Sequence, residues 1–411
     1  MNLKRHALSG IILLAVHSPG AGQDTLNFST ILAARVAALE KLSPDSDPSW
    51  KPAWINDIEV RTETDRFDPD RQEYLLRFNF NSPGLVKAQK NYFASLQAKY
   101  GADRNENLNK LVRGTYSEWL DAVFLQKKSA LLEENRSILE DEMQVRQKMV
   151  ANSEKDLAEY LDLKQEIREC DLQLSGCRFR KAELLDRMVF PGGADQSYQS
   201  FDDRLVTLGQ IEAYINRLQL DGPASNATAE AGFRYRKVAL ETELAAELAE
   251  SRQIVDFLQF RYRGPHDDRL SERLSAGLGL RVPLNGKNRL KVAELKQAIV
   301  SLDHDRQLEQ FAFSTIFVRR LAEIRLPFDQ YRLLEQQLNE LESEFRTVST
   351  RANSTGSPVW LLNIRKAWNK ARIRKIEIEK EIYKEYVELL DLTGALQWDS
   401  ARNFLEETPE E

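Results

Sequence analysis

Between Leu270 and Ala298 the chain changes its hydrophobic period, and few folds can absorb such a change. From Leu274 to Val282 every second residue is apolar (Leu274, Ala276, Leu278, Leu280, Val282), with Arg273, Ser275, Gly277, Gly279 and Arg281 between them. Period two makes a strand with one apolar and one polar face. Pro283 ends the ladder because it has no N–H to donate. After Asn285-Gly286 the pattern turns helical and highly charged, and it stays so to about Val348. A half-polar strand therefore opens onto a very long helix.

The same join occurs earlier. Ile58, Val60, Thr62 and Thr64 alternate with Asp57, Glu59, Arg61, Glu63 and Asp65. After the turn RFDPDRQ, Tyr74, Leu76, Phe78 and Phe80 alternate with Glu73, Arg77, Asn79 and Asn81. Two alternating runs about a short turn make a hairpin. Its polar face carries full charges, so that face must meet water or a lumen. From Pro83 to about Val150 the pattern is helical, and Phe124, Leu131, Ile138 and Val145 recur every seventh residue beside Leu125, Leu132 and Leu139. Such a repeat is a coiled-coil seam. Ala151-Asn152-Ser153 interrupts it, and helix resumes from Glu154 to about Met188.

A looser stretch holds a short apolar helix, Leu205 to Leu220, and an Ala/Glu-rich helix from Ala224 to Arg252. A third alternating run, with Leu258, Phe260 and Tyr262 against Gln259, Arg261 and Arg263, then leads into the strand that begins at Leu274. Pro327 is expected to kink the second long helix, NSTGSP (Asn353–Pro358) forms a second tip, and Val359 to Leu396 returns. The chain reads as an internal duplication of hairpin, long helix, tip and return helix. Pro83 to Asn152 and Pro283 to Asn353 are stalks of nearly equal length, so both tips end at one level. The expected divisions are 1–22, a signal peptide; 23–54, an N-terminal helix and connector; 55–81, the first β-hairpin; and 83–189, the first helical hairpin. They continue with 190–253, a linker and helix; 254–284, the second β-hairpin; 285–396, the second helical hairpin; and 397–411, an acidic tail without fixed structure at its end.

Composition agrees with long helices, for 30% of residues are charged and only 18 are Gly and 13 Pro. Lys4 and Arg5, the apolar run Leu8–Val16 and the small residues Gly20-Ala21-Gly22 read as a secretory signal. Cleavage there removes two positive charges and no negative one, taking the formal charge from −6 to −8, which argues against a nucleic-acid partner. No stretch is long and apolar enough for a transmembrane helix. Cys170 and Cys177 lie seven apart, roughly 10 Å in a helix and beyond disulfide reach. Either the helix breaks at Ser175-Gly176 and they join, or they stay free. Cofactor and catalytic signatures are missing: His266 and His304 lack partners at metal spacing, and the sequence shows no nucleophile elbow and no phosphate-cradling loop.

Strands of about ten residues are long enough to cross a bilayer when tilted. Trp54, Tyr74, Phe78, Phe80, Phe260 and Tyr262 lie on their apolar faces, as in a membrane-interface girdle. At this point a resemblance is specific. The succession LSAGLGLRVPLNGKNRLKVAELKQA resembles the strand-to-helix step of the TolC-type outer-membrane efflux protein family. NSTGSPVWLLNIRKAWNKARIRKIEIEKEIYKEYVELLDLTGAL resembles the tip and return helix of that family's second repeat, and TYSEWLDAVFLQKKSALLEEN through KDLAEYLDLKQ resembles the first.

The resemblance covers most of residues 50–400. It implies a mainly α protomer with a small β part, three copies of which form a twelve-stranded barrel in the outer membrane of a Gram-negative bacterium. It further implies a periplasmic α-helical barrel whose tips meet a periplasmic adaptor and an inner-membrane transporter. The protein would then be a passive exit duct, not an enzyme, for efflux or type I secretion. Leu274, Leu278, Leu280, Phe78 and Phe80 would face lipid, and Glu59, Arg61, Arg77, Arg261 and Arg273 the lumen. The adaptor would dock at Ala151, Asn152 and Ser153 and at Ser354, Thr355, Gly356, Ser357 and Pro358.

Two departures from the family pattern stand out. The connector SPDSDPSWKP replaces much of the N-terminal helical segment that such proteins carry before the first strand. Where the family places two aspartates around the periplasmic aperture, this sequence has Trp360 and Asn363, leaving Asp156 as the acidic residue near the mouth. Trp360 either narrows the mouth as a hydrophobic gate or packs between neighbouring helices. The basic run Arg365, Lys366, Lys370, Arg372, Arg374 and Lys375 reads as a solvated face or as a contact for an acidic partner. The competing reading of the whole chain is a periplasmic coiled-coil scaffold or adaptor that never enters a membrane.

Overall fold

A computed structural model describes residues 25–42, 50–64, 72–149, 154–188, 200–221, 227–263, 273–281, 288–352, 358–396 and 403–406. The signal segment, residues 151–153 and 354–357 of the two tips, the hairpin turns and the end of the acidic tail lie outside these. The order of elements is β1 (Thr25–Leu26), α1 (Phe28–Leu42), β2 (Ile55–Thr64), β3 (Gln72–Phe80), α2 (Pro83–Met149), α3 (Glu154–Met188) and β4 (Ser200–Phe201). It continues with α4 (Leu208–Asp221), α5 (Ala227–Ser251), β5 (Val255–Arg263), β6 (Leu274–Leu280), α6 (Arg289–Glu323), α7 (Arg325–Ala352) and α8 (Pro358–Leu392).

The alternating runs form one antiparallel sheet in the order β2-β3-β5-β6. Each hairpin is a local pair, and the two join through β3 and β5, where Tyr74 faces Tyr262, Leu76 faces Phe260 and Phe78 faces Leu258. Register keeps the alternation in phase across all four strands, so Ile58, Phe78, Leu258 and Leu278 form one row on the same face. Glu59, Arg77, Gln259 and Gly277 form the next row on the other face.

From the sheet α2 runs unbroken for 67 residues, about 100 Å. The sevenfold seam read from the sequence is its buried edge: Phe124, Leu131, Leu132, Ile138 and Leu139 are all buried. The second stalk differs. It breaks at Ile324, between α6 and α7, three residues before the Pro327 expected to kink it. The offset has a direct cause. A helical proline cannot donate to the carbonyl four residues back, and its ring clashes with that carbonyl, here Glu323. The last residue of α6 is Glu323, and Ile324 turns into the core with no exposure.

The main core lies midway along the stalks. It gathers Phe28 and Ile31 from α1, Tyr116, Trp119 and Leu120 from α2, Ile211 from α4, Phe317 and Ile324 around the break, and Ile382, Tyr386 and Leu389 from α8. A short parallel pairing of β1 with β4 holds the start of the described chain against this belt. Part of the segment read as an acidic tail also belongs here. Phe404 and Leu405 are buried, the Phe404 N–H donates to the Tyr116 hydroxyl at 3.1 Å, and the Val206 N–H donates to the Leu405 carbonyl at 2.5 Å.

Candidate functional site

The sheet offers two chemically opposite surfaces. On one, Ile58, Val60, Tyr74, Leu76, Phe260, Leu274 and Leu278 are all exposed in the protomer, and Leu280 continues the patch. Contiguous exposed apolar surface of this kind marks a membrane or protein contact. Phe78 and Phe80, expected beside them, are partly covered and stack on each other at 6.4 Å.

The opposite surface is an ion-pair network. Glu59 pairs with Arg61 at 2.6 Å and lies 3.6 Å from Arg77, while Glu73 pairs with Arg261 at 2.7 Å and Arg263 at 3.2 Å. Arg273, the remaining expected lumen residue, immediately precedes β6 and is partly buried. Phe257, which the alternation alone did not single out, also lies on this wet surface. The Arg77 guanidinium rests 3.5 Å from the centroid of its ring. A Cβ on Gly279 would meet the Phe257 ring at 2.3 Å, so only glycine lets that ring lie across β6. The two glycines of the period-two run therefore make room for Phe257 and Gln259, and β6 adds no charge of its own to the polar surface.

Along the stalk, α2 and α8 are joined by ion pairs of alternating sign. Arg113 pairs with Glu388 (3.0 Å) and Asp391 (2.9 Å), and Asp121 with Lys380 and Lys384 (both 2.7 Å). Lys128 then pairs with Glu377, and Glu134 with Arg372, each at 2.7 Å. Sliding one helix two turns along the other would oppose like charges, so the ladder fixes register. Burial pushes the Asp121 carboxyl up, but its two ammonium partners outweigh this and hold it below the usual carboxylate range. Asn369, fully buried, donates to the Leu131 carbonyl at 2.9 Å and adds a polar pin to the same seam.

Among the solved structures that match the chain over nearly its whole length are the following three. One is a membrane protein from Pseudomonas aeruginosa (TM-score 0.61, 13% identity, 92% of this chain and 89% of that one). The others are the outer-membrane channel OprN (0.56, 12%, 89% and 86%) and the outer membrane protein VceC of Vibrio cholerae (0.57, 11%, 89% and 92%). The chain has the fold of the outer-membrane channels. No family model and no curated protein matches its sequence.

On this channel fold those remaining sequence-assigned residues that are described begin the helices beyond the two tips, while 151–153 and 354–357 lie outside the described residues. Trp360 and Asn363 lie in the first turns of α8, both exposed, Trp360 at 64%. Within the protomer the indole is therefore not packed between helices. Asp156 is in the first turn of α3, and Pro358 begins α8. The basic run on α8 divides: Arg365, Lys370 and Arg374 are exposed, as a solvated face would be, while Lys366, Arg372 and Lys375 are partly buried in ion pairs. Lys366 pairs with Glu166 on α3, Lys375 with Glu335 on α7, and Arg372 also lies over Trp368 at 4.5 Å. Lys366 and Arg372 join the second helical hairpin to the first, and Lys375 closes the second on itself, contacts within the chain that neither sequence reading of this run had described.

Helix α3 runs unbroken through Ser175-Gly176, and Cys170 and Cys177 are free and buried against Leu132 and Leu139. Burial pushes the Cys170 thiol up. Among the described residues no helix is long and apolar enough to cross a membrane, and no cluster of three metal-ligating side chains occurs.

Proposed function

We propose that the chain is the subunit of an outer-membrane exit duct, with the sheet in the membrane and the stalks in the periplasm. The observation that carries this reading is the two-faced sheet, apolar and bare on one side and laced with ion pairs on the other, at the head of stalks about 100 Å long. An open sheet in lipid leaves edge N–H and C=O groups unsatisfied, at several kcal/mol each. Here β2 and β6 are both free edges. With an even number of strands, copies joined edge to edge continue the antiparallel alternation around a closed ring.

Barrels of about eight strands are filled by their own side chains. The charged groups Glu59, Arg61, Glu73, Arg77, Arg261 and Arg263 call for a watered lumen, so three copies and twelve strands fit better than two. Leu274, Leu278 and Leu280 then face outer-membrane lipid. The tips at 151–153 and 354–358 reach toward a periplasmic adaptor and an inner-membrane transporter, with Asp156, Trp360 and Asn363 at the aperture. Transport would be passive, set by lumen charge and aperture rather than by a substrate pocket.

The test is single-channel conductance of the purified protein in a planar bilayer. Discrete openings, one pore per trimer, are expected. Silence that persists after deletion of both tips would overturn the duct and favour a membrane-free scaffold, as would release of the protein from membranes by carbonate.

A further inference from the structure

The two halves of the sheet-proximal wall are built differently. Before β5 the chain supplies α5, a 25-residue helix wedged between α2 and α6. Its Thr242 hydroxyl lies 2.6 Å from that of Ser95 on α2, and its Lys237 pairs with Asp303 on α6 at 2.8 Å. Before β2 no helix stands at that height among the described residues. Helix α1 ends at Leu42 and packs lower, on Val112, Tyr116 and Trp119 of α2. Residues 50–54 instead climb beside α2 without helical structure. Trp50 lies 5.5 Å from Phe93, and the Ala53 and Trp54 carbonyls each accept from Asn81 at 2.9 Å.

On each side this leaves a bare flank. On α6, Leu290, Val300, Leu308 and Phe311 are exposed on the side of the helix roughly opposite the one that meets α5. On the other side of the protomer, Trp50, Trp54 and Tyr100 are exposed, Tyr100 at 68%. The heights agree. Trp54 and Leu290 stand at the sheet end of their walls, Trp50 meets α2 about 15 Å below it, and Val300 lies about 16 Å along α6.

We infer that each copy lays the α6 stripe (Leu290, Val300, Leu308) against the aromatic connector and α2 flank (Trp54, Trp50, Tyr100) of the next copy. The helical wall between subunits is thereby sealed by an extended aromatic strap in place of a helix. This rests on the duct reading, because closing the sheet from β6 to the next copy's β2 brings these two flanks together and no others. An extended chain is about 5 Å wide against about 10 Å for a helix. Three such replacements shorten the circumference by about 15 Å and narrow the wall at this level by about 5 Å.

Cysteine pairs in the full-length protein, in a Cys170→Ser, Cys177→Ser background, test the contact. Wall pairs are Trp54→Cys with Leu290→Cys, Trp50→Cys with Val300→Cys and Tyr100→Cys with Leu308→Cys, the last independent of the connector's own packing. Sheet pairs combine Ile58→Cys or Val60→Cys with Ala276→Cys or Leu278→Cys. Oxidation in native membranes is expected to move most of the chain carrying wall pairs into two- and three-chain bands. Sheet pairs that link while all wall pairs stay single would overturn this contact and leave the duct standing. Failure of both sets would overturn both. Val300→Cys linking to itself would show a two-fold face and overturn the contact.

Discussion

The first stalk is one helix from sheet to tip, whereas the second is two, and the difference shows where a duplicated plan can bend. Helix α2 carries its seam through the core with Leu120, Val123 and Phe124 buried and no break. In the second stalk the break falls within the main core, and Ile324, fully buried, occupies the gap between α6 and α7. Beyond the break α7 packs along α8, whereas before it α6 packs along α5. One stalk thus acts as a strut, and the other carries a joint at the level of the belt.

The sharpest way to break this comparison is to empty the joint. Ile324→Ala removes a side chain with no exposure and is expected to cost about 2–5 kcal/mol, read as a fall in the denaturation midpoint. Pro327→Ala asks what imposes the break. If the proline does, amide exchange protection should become continuous across residues 323–328. Protection that stays split would assign the break to the packing of Ile324.

The two surfaces of the sheet allow a second contrast. Leu278→Arg sets a charge on the apolar surface and is expected to cost about 2–4 kcal/mol at mid-depth in lipid, seen as lost membrane-assembled protein. Ser275→Arg, on the polar surface, should assemble normally. Equal losses would refute the facing assignment. Smaller again is the glycine contact. Gly279→Ala forces its Cβ onto the Phe257 ring and is expected to cost about 1–3 kcal/mol. Combining it with Phe257→Ala should recover most of that, since the obstructing ring is gone. A double variant no better than the sum of the singles would mean the ring does not lie across β6.

What the sequence disclosed divides by range. The strands, their two faces and the sevenfold seam depend on residues two to seven apart, so periodicity exposed them. The pairing of Thr25-Leu26 with Ser200-Phe201 left no trace, because two residues carry no period and the partner is far along the chain. Phe257 hid between Val255 and Leu258 in an apolar-looking run, and only the cross-strand register places it among the charges. The basic run on α8 looked like a solvated or partner-facing surface because its acids, Glu134, Glu166 and Glu335, belong to three other helices. Pro327 did announce a break in the helix. Its position, one turn earlier, follows from which carbonyl a proline leaves without a donor.

The smallest expected effect concerns the ladder that ties the two stalks together. Asp121 on α2 serves both Lys380 and Lys384 on α8, and its carboxyl is held below the usual range against the opposing influence of burial. A carboxylate with a depressed folded-state pKa contributes stability that is full above its unfolded value, about 3.9, and lost as pH falls through the folded one. At pH 7, Asp121→Asn should therefore unfold at lower denaturant than the parent. The gap between the two midpoints should close as pH is lowered from 5 toward 3, because the parent protonates and the variant has nothing to lose. The matching change in the other stalk is Glu335→Gln, whose partner Lys375 lies 3.2 Å away and ties α7 to α8 beyond the joint. Glu335 is half exposed, so screening leaves it a smaller midpoint gap at pH 7. Equal gaps would mean that the strut and the jointed stalk are tied to α8 with the same strength. A larger gap for Asp121→Asn would make the α2–α8 seam the fixed frame against which the interrupted stalk packs.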